Sequence, residues 1–336
     1  MLAIVCPGQG SQTPGFLAPW LEVPDVAERL RWLSAVAGID LVTHGTTSDA
    51  ETIRDTAVAQ PLIVAAGLVA LPALLPDTVR EPEDAAAVAD VVAGHSVGEL
   101  TAAALAGVLS AEQALVLVRE RGRAMADASA VTPTGMSAVL GGNPEEVAAA
   151  IQEHGLTVAN SNAAGQVVAA GTLEQLAALA AAPPARTRVV PLQVAGAFHT
   201  AHMAPAVDVL AGYAHALSPR PPRTELLSNA DGAVVESGVE ALWRIVDQVS
   251  RSVRWDACSA TLAALGVTGL LELPPAGTLA GLAKRALPGV EIVALKTPDD
   301  LPAARALVET HASAAGSAAA APSTDQGLTP ASGGTA

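Results

Sequence analysis

Aromatic residues, cysteines and lysines are all scarce in this chain of 336 residues. Phe, Trp and Tyr make up 2% of the chain although hydrophobic residues make up 51%, so alanine, valine and leucine must supply most of the core. The two cysteines, Cys6 and Cys258, have no paired spacing that would indicate a disulfide framework. Together with the absence of a basic segment followed by an apolar one at the start, this predicts a cytoplasmic protein with reduced thiols.

Positive charge is also scarce, since the chain has only two lysines and a formal net charge of −15. A surface of this sign repels the phosphate backbone, which argues against nucleic acid as a partner. The most apolar stretch, Leu62 to Leu71, has ten residues and stands between two prolines, whereas a membrane span needs about 20 residues. We therefore expect a buried helix with Pro61 in its first turn, and no membrane partner.

The order of the predicted elements changes in the middle of the chain. Residues 136–192 are predicted to form strands and helices in the order β-α-β-β-α-β, which is the ferredoxin-like order. The flanking segments alternate between strands and helices, as in a larger α/β domain. We predict a small domain at 126–195 inserted into a larger one at 1–125 and 196–311. The tail at 312–336, rich in alanine, serine, glycine and proline, is predicted to be disordered.

A serine pentapeptide, Gly94-His95-Ser96-Val97-Gly98, lies between the apolar run Ala85 to Ala93 and the helix-like segment Glu99 to Leu109. A strand, a tight turn and a helix in this order expose a serine hydroxyl at the helix N-terminus, where the helix dipole favours an oxyanion. The pentapeptide alone is a weak signal in a chain with 29 glycines. Its position between a strand and a helix is what favours a nucleophile.

The N-terminal loop Pro7-Gly8-Gln9-Gly10-Ser11-Gln12 follows a predicted strand, Leu2 to Cys6. Such a loop can place backbone N–H groups beside a reacting centre. It lacks the Gly-Lys-Ser/Thr ending of a phosphate loop and the third glycine of a dinucleotide site. A plain turn is the other interpretation of this segment.

A nucleophilic serine needs a base, and the chain has seven histidines. His199 and His202 lie just ahead of a predicted helix, where the chain returns from the small domain, and His199 is the better candidate. His95 is adjacent to Ser96 and therefore badly placed to reach the same hydroxyl. No carboxylate accompanies the His199/His202 pair at a ligand spacing, so we predict no metal site. The other histidines are predicted to lie on surface segments: His44, His154, His215 and His311.

Several motifs stand in the order found in the malonyl-CoA:acyl-carrier-protein transacylase family. The chain resembles this family, in an actinobacterial form, over about residues 1–310. The motifs are Gly8-Gln9-Gly10-Ser11-Gln12, Gly94-His95-Ser96-Val97-Gly98-Glu99, Arg121-Gly122, Asn160 with Gln166-Val167-Val168, Phe198-His199, and Gln248 with Val253 to Trp255. The turn Leu273-Pro274-Pro275-Ala276-Gly277 departs from the glycine-proline-glycine that the family has there.

The resemblance implies an α/β fold with an α/β-hydrolase-like large subdomain and an inserted ferredoxin-like small subdomain. It implies that Ser96 is the nucleophile and His199 the base that takes its proton. The backbone N–H groups of Gln9 and Val97 would form the oxyanion hole. The backbone carbonyl of Gln248 would orient the histidine, in place of a triad aspartate.

Three further positions concern the substrate. Arg121 matches the arginine that holds the malonyl carboxylate, which a guanidinium fork can bind through two hydrogen bonds. Phe198 resembles the bulky residue of malonyl-selecting acyltransferases, which leaves little room for an α-methyl group. Asn160 and Asn162 are candidates for contacts with coenzyme A or its pantetheine arm.

The implied activity is the transfer of a malonyl group from malonyl-CoA to the phosphopantetheine thiol of acyl carrier protein through a malonyl-serine intermediate. This would serve fatty-acid synthesis, with polyketide synthesis as a further candidate. We expect a monomer with no permanently bound cofactor, malonyl-CoA as substrate and acyl carrier protein as a transient partner. Because carrier proteins are acidic, docking would need a local basic patch, with these candidates: Arg186, Arg188, Arg220, Arg223, Lys284 and Arg285.

Other functions remain open from the sequence. A malonyl-loading subunit of a malonate decarboxylase and a discrete polyketide acyltransferase would share these motifs. A serine esterase is a distant alternative, which predicts an apolar acyl pocket without a buried arginine and an acidic triad member. A catalytically inactive scaffold is disfavoured because Ser96, His199 and Arg121 are all present.

Overall fold

The computed structural model describes residues 1–313, which form a mixed α/β fold with two five-stranded sheets. The predicted tail, 312–336, lies outside the described residues apart from its first two. The strands of residues 1–313 are β1 (Leu2–Cys6), β2 (Val91–Gly94), β3 (Thr134–Gly141), β4 (Thr157–Ala163), β5 (Gln166–Thr172), β6 (Thr187–Pro191), β7 (Glu225–Leu226), β8 (Val253–Arg254), β9 (Gly269–Glu272) and β10 (Glu291–Ala294).

Helices cover both faces of the first sheet and also pack against the second. In the described range they are α1 (Val26–Ala37), α2 (Leu41–Thr46), α3 (Thr56–Leu74), α4 (Gly98–Leu105), α5 (Ala111–Val131), α6 (Pro144–Glu153), α7 (Leu173–Ala181), α8 (Ala204–Ala214), α9 (Gly238–Gln248), α10 (Trp255–Ala264), α11 (Thr278–Ala286) and α12 (Leu301–His311). Short 3₁₀ turns occupy 18–22, 52–54, 82–87, 201–203 and 298–300.

The first sheet has the strand order β10-β9-β1-β2-β7, and every neighbouring pair is parallel. Strands β1, β2 and β9 are fully buried, as parallel strands covered on both faces are. Their carboxyl ends, at Cys6, Gly94 and Glu272, lie together at one edge of the sheet. Loops at this edge are where α/β proteins place ligands and reacting groups.

The second sheet has the order β6-β3-β5-β4-β8. Residues 134–191 contribute the elements β3, α6, β4, β5, α7 and β6, with antiparallel strand pairs. Strand β8 comes from the chain after α9 and joins β4 in parallel, with Asn160 opposite Val253. This pairing brings Asn160 close to the segment that follows Gln248.

Helix α3 is long and apolar enough to cross a membrane by length and composition alone. However, 83% of its most apolar window is buried inside the protein, as in a core helix. The predicted burial is correct, but the prediction that Pro61 lies in the first turn is wrong. Helix α3 begins at Thr56, because the Asp55 side chain accepts a hydrogen bond from the Ala57 N–H at 2.8 Å and caps the helix there.

Several other elements differ from their predicted bounds. The strand before the serine is shorter than 85–93, because Glu81 and Asp84 form a capping box that winds residues 82–87 into a 3₁₀ turn. Helix α5, which the sequence predicts from Ala111 to Met125, continues to Val131, because no helix-breaking residue lies between Met125 and Pro133.

Two helices, α2 and α12, are not among the elements predicted from the sequence. The Asp40 side chain caps α2 by accepting from the Thr43 N–H. Helix α12 packs Ala304, Leu307 and Val308 onto the core. This spacing is that of an apolar helix face, so the signal for α12 was present in the sequence.

Candidate active site

Ser96 lies in the turn between β2 and α4, with a left-handed backbone φ of 54°. Glycines flank it because the chain passes close to itself here. A β-carbon on Gly94 would lie 2.0 Å from the backbone carbon of Gly98, and one on Gly98 would lie 2.2 Å from the Cys6 carbonyl oxygen. The turn therefore needs both glycines, and it holds the serine at the start of α4.

The Ser96 hydroxyl contacts His199, as the sequence predicts. Ser96 Oγ lies 2.8 Å from His199 Nε2, and His199 Nδ1 lies 2.8 Å from the backbone carbonyl oxygen of Gln248. Because a carbonyl can only accept, Nδ1 carries the proton and the lone pair of Nε2 faces the hydroxyl. Two consecutive hydrogen bonds thus join the nucleophile to the base and the base to its orienting group, as nucleophilic catalysis requires.

The His199 ring is almost completely buried, and its backbone is also left-handed, with φ 62°. Burial, and then the positive charge of Arg121, lower the pKa of His199 to about 3. The imidazole is therefore neutral at neutral pH. A neutral ring can accept the serine proton.

The Arg121 side chain is buried next to this pair, with 1% of the residue exposed. Its Nη1 donates to Gln60 Oε1 at 2.7 Å, its Nη2 donates to Gln248 Oε1 at 2.8 Å, and Nη2 also lies 3.4 Å from Ser96 Oγ. Burial lowers the pKa of Arg121 to about 10, against the attraction of Glu99, so the guanidinium stays charged at neutral pH. Its Nε has no hydrogen-bond partner within residues 1–313. A positive charge with unused donors thus lies beside the hydroxyl.

The loop that carries Gln9 packs against the serine turn. A β-carbon on Gly8 would lie 2.8 Å from the carbonyl oxygen of His95, so the two segments are in close contact. The backbone N–H groups of Gln9 and Val97 have no acceptor among the residues that the structure describes. Unpaired N–H groups in two segments that border the cleft of the nucleophile suit a developing oxyanion.

A cleft of about 470 Å³ opens above Ser96. Its lining includes the predicted residues Gln9, Ser96, Asn160, Asn162, Phe198 and His199. Phe198 is nearly buried, while Asn162 Oδ1 lies 2.9 Å from His95 Nε2. The structure therefore brings these predicted residues to one cleft, and Arg121 and Gln248 contact Ser96 from the buried side.

Three buried polar side chains that hold the site together were missed by the sequence analysis: Gln60, Glu99 and Asn229. The Oδ1 atom of Asn229 accepts from the Ser96 N–H at 2.8 Å, and its Nδ2 donates to the Gly94 carbonyl at 2.7 Å. The signal for Asn229 was its place as the last residue of a predicted strand, Thr224 to Asn229, at the edge where the parallel strands end. Gln60 gave no signal, because it stands within an apolar helix.

Glu99 was part of a recognised motif but had no assigned role. It is 3% exposed, and burial raises its pKa to about 7. Hydrogen bonds from the Asn229 N–H and the Gln248 amide, and the charge of Arg121, oppose that rise.

The six basic residues considered for docking do not form one patch. Arg285 lies at the cleft rim, where it donates to Gln166 at 2.8 Å. Arg220 and Arg223 lie at the far end of α4, where Arg220 bonds the Gly107 carbonyl and Glu83. Within residues 1–313, no group of three or more His, Cys, Asp or Glu side chains is placed to hold a metal ion.

Comparison with known proteins matches residues 3–297 to the acyl transferase domain. The chain belongs to the acyl transferase domain family. This acyl transferase is 51% identical over 301 residues to the malonyl CoA-acyl carrier protein transacylase of Mycobacterium tuberculosis H37Rv, covering 90% of this chain and 98% of the relative.

Two solved structures resemble this acyl transferase. The crystal structure of MCAT from Mycobacterium tuberculosis has a TM-score of 0.86 and 50% identity, over 91% of this chain and 99% of that one. A type II polyketide synthase acyl-carrier protein in complex with its malonyl-transacylase gives a TM-score of 0.82 and 30% identity, over 91% and 99% of the two chains.

Proposed function

We propose that this acyl transferase moves a malonyl group from malonyl-CoA to the phosphopantetheine thiol of acyl carrier protein, through an ester on Ser96. The observation that carries the proposal is the buried guanidinium of Arg121, 3.4 Å from the hydroxyl of a serine paired with histidine. The guanidinium gives an acyl group with a free carboxylate a charged partner beside the nucleophile. A neutral ester would gain nothing from it.

In the first half-reaction, Ser96 Oγ attacks the thioester carbonyl of malonyl-CoA while His199 Nε2 takes its proton. The oxyanion of the tetrahedral intermediate is held by the N–H groups of Gln9 and Val97. The C–S bond then breaks, and the imidazolium gives its proton to the leaving thiolate of coenzyme A. The carbonyl of Gln248 stabilises the imidazolium through Nδ1.

The second half-reaction reverses these roles. His199 takes the proton of the pantetheine thiol, and the thiolate attacks the ester carbonyl of malonyl-Ser96. The C–O bond breaks and the proton returns from His199 to Ser96 Oγ. The enzyme is restored without a bound cofactor.

Selection of the acyl group rests on two side chains that meet it from different sides. Arg121 binds the malonyl carboxylate with charge-assisted hydrogen bonds. Phe198, which is nearly buried in the cleft lining, limits the space for an α-substituent. Together they favour malonyl over acetyl and over methylmalonyl.

Residues of both proposed subdomains line the cleft, which supports a two-subdomain architecture. We assign residues 1–125 and 196–311 to an α/β-hydrolase-like large subdomain and 126–195 to a ferredoxin-like small one. The element order of residues 134–191 and the order β6-β3-β5-β4 of their strands support the second assignment. Asn160 and Asn162 line the cleft on the small-subdomain side, where coenzyme A and the pantetheine arm would lie.

The proposed partner is an acyl carrier protein, and the fold shared with a malonyl-transacylase in complex with such a carrier supports it. Arg285 at the cleft rim, with the neighbouring exposed Lys284, offers positive charge to an acidic carrier. We propose a cytoplasmic monomer that supplies fatty-acid synthesis, with polyketide carriers as further acceptors.

The test is transfer from malonyl-CoA to purified holo acyl carrier protein, followed by the intact mass of the carrier. We expect a malonyl adduct on the holo form, and none on the apo form, which lacks the thiol. Parallel reactions with a neutral ester test the esterase alternative. Efficient hydrolysis of the ester without malonyl transfer would overturn the proposal.

A further inference from the structure

The carboxylate of Glu99 is buried beside the reacting groups but has no part in the reaction steps above. It lies in the first turn of α4, three residues after Ser96. One oxygen accepts from the Asn229 N–H at 2.6 Å, and the other accepts from Gln248 Nε2. Burying a carboxylate costs free energy unless hydrogen bonds compensate for the lost water. The two groups that bond Glu99 therefore indicate which part of the site it supports.

The Gln248 side chain links Glu99 to Arg121. Its Nε2 donates to Glu99 and to the Ser96 carbonyl at 3.1 Å, and its Oε1 accepts from Arg121 Nη2 at 2.8 Å. A guanidinium offers only donors, so Gln248 Oε1 has to face Arg121, and Nε2 then faces Glu99, whose two oxygens both accept. The amide therefore has one orientation that satisfies both neighbours.

We propose that Glu99 is a positioning residue: by fixing the Gln248 amide, it holds the Arg121 guanidinium where it receives the carboxylate of the acyl group. The inference rests on the proposed malonyl transfer and adds a residue that determines its selectivity. Glu99 touches neither substrate nor the reacting atoms. It acts on the recognition of the carboxylate, while His199 is oriented separately by the backbone carbonyl of Gln248.

The isosteric change Glu99→Gln tests this relationship. The glutamine side chain at position 99 would have one oxygen to offer to two donors, the Asn229 N–H and the Gln248 NH₂. We expect the Gln248 amide to rotate by 180° so that its oxygen accepts from the NH₂ at position 99. The NH₂ of Gln248 then faces the guanidinium of Arg121, donor against donor. We expect kcat/KM for malonyl loading to fall about 10- to 100-fold, the size of a lost hydrogen bond to a charged group. Acetyl loading should change less than about threefold, because acetyl has no carboxylate.

A second variant, Gln248→Met, removes the amide and keeps the backbone carbonyl that bonds His199. It should show the same selective loss of malonyl loading, measured in single turnovers with malonyl-CoA and acetyl-CoA. The double variant should lose little more than either single one, since both changes break the same link. Arg123→Ala is the control, because Arg123 lies on the same helix as Arg121 but is half exposed and pairs with Glu120 rather than with Glu99 or Gln248. It should leave the loading of both acyl groups unchanged.

Equal losses of malonyl and acetyl loading in Glu99→Gln, or additive losses in the double variant, would overturn the role of Glu99. If Glu99→Gln does not fold, the selectivity of Gln248→Met decides alone, and equal losses there overturn the proposal. Failure of the unaltered protein to form a malonyl adduct would instead defeat the proposed function, so the two failures are distinguishable.

Discussion

Arg121 Nη2 lies 3.4 Å from Ser96 Oγ, and the guanidinium is held from two sides by the side-chain oxygens of Gln60 and Gln248. The positive charge is therefore fixed before any substrate arrives. In the proposed mechanism, this preorganisation favours an acyl group with a negative charge, because no side chain has to be ordered on binding.

Removal of the Arg121 charge should lower the rate of malonyl loading but not that of acetyl loading. We expect Arg121→Ala to lower kcat/KM for malonyl loading by about 10²- to 10³-fold, since losing one partner of a buried charge pair costs about 3–4 kcal/mol. Acetyl loading should stay equal or improve. Arg123→Ala is the control, because Arg123 lies on the same helix with half of its side chain exposed and, within residues 1–313, pairs only with Glu120. Equal losses for both acyl groups in Arg121→Ala would contradict the proposed role.

The His199 imidazole should remain neutral through the physiological range. Its pKa of about 3 predicts that its NMR signals, identified by their absence in His199→Gln, do not titrate between pH 5 and 8. The folded pKa lies below that of an unfolded histidine, about 6.5. The stability that His199 contributes is therefore present above pH 6.5 and is lost as the pH falls toward 3. An NMR titration midpoint between pH 6 and 7 would show that burial does not lower the pKa of His199, and would contradict this prediction.

The serine turn should tolerate no side chain at Gly98. A β-carbon there would meet the Cys6 carbonyl at 2.2 Å, so Gly98→Ala should lower the free energy of unfolding by about 3 kcal/mol or more. Gly212→Ala is the matched change, because Gly212 lies in α8 and, in the part of the chain that the structure describes, no atom outside its own helix lies within 4 Å of the added carbon. It should raise the free energy of unfolding by about 0.5–1 kcal/mol. Urea unfolding measures both free energies. Equal changes in the two variants would contradict the close contact between Gly98 and the Cys6 carbonyl.

Phe198 should set the limit on the α-carbon of the acyl group. Phe198→Ala enlarges the cleft, so the ratio of methylmalonyl to malonyl loading should rise about tenfold or more, the usual value of one methyl group in a fitted pocket. It should also cost about 3–5 kcal/mol of stability, and Phe198→Leu offers a milder change with the same direction. Competition between the two thioesters, read by the mass of the enzyme, gives the ratio. An unchanged ratio of methylmalonyl to malonyl loading would show that residues other than Phe198 exclude the α-methyl group.

The sequence predicted the groups that belong to short motifs. The alternation of strands and helices predicted an α/β chain, and the family resemblance carried by the motifs implied that Ser96, His199, Arg121 and the backbone carbonyl of Gln248 would meet. Each of these residues belongs to a recognisable stretch of the chain, such as the glycines around Ser96.

The contacts among buried polar side chains could not be predicted in this way. Glu99, Gln248 and Asn229 come from α4, α9 and the loop after β7, and their meeting depends on how these elements pack. Helix α12 has a clear apolar spacing, but none of the motifs of the predicted site lies in it. Its burial against the core became apparent only from the structure.

The central claim is that Ser96 carries the malonyl group between the two thiols. Intact-mass measurement after brief incubation with malonyl-CoA, without carrier protein, tests it most directly. A malonyl adduct on the unaltered protein that is absent from Ser96→Ala, and that disappears on addition of holo acyl carrier protein, is the predicted result. An adduct of equal yield in Ser96→Ala would contradict the account.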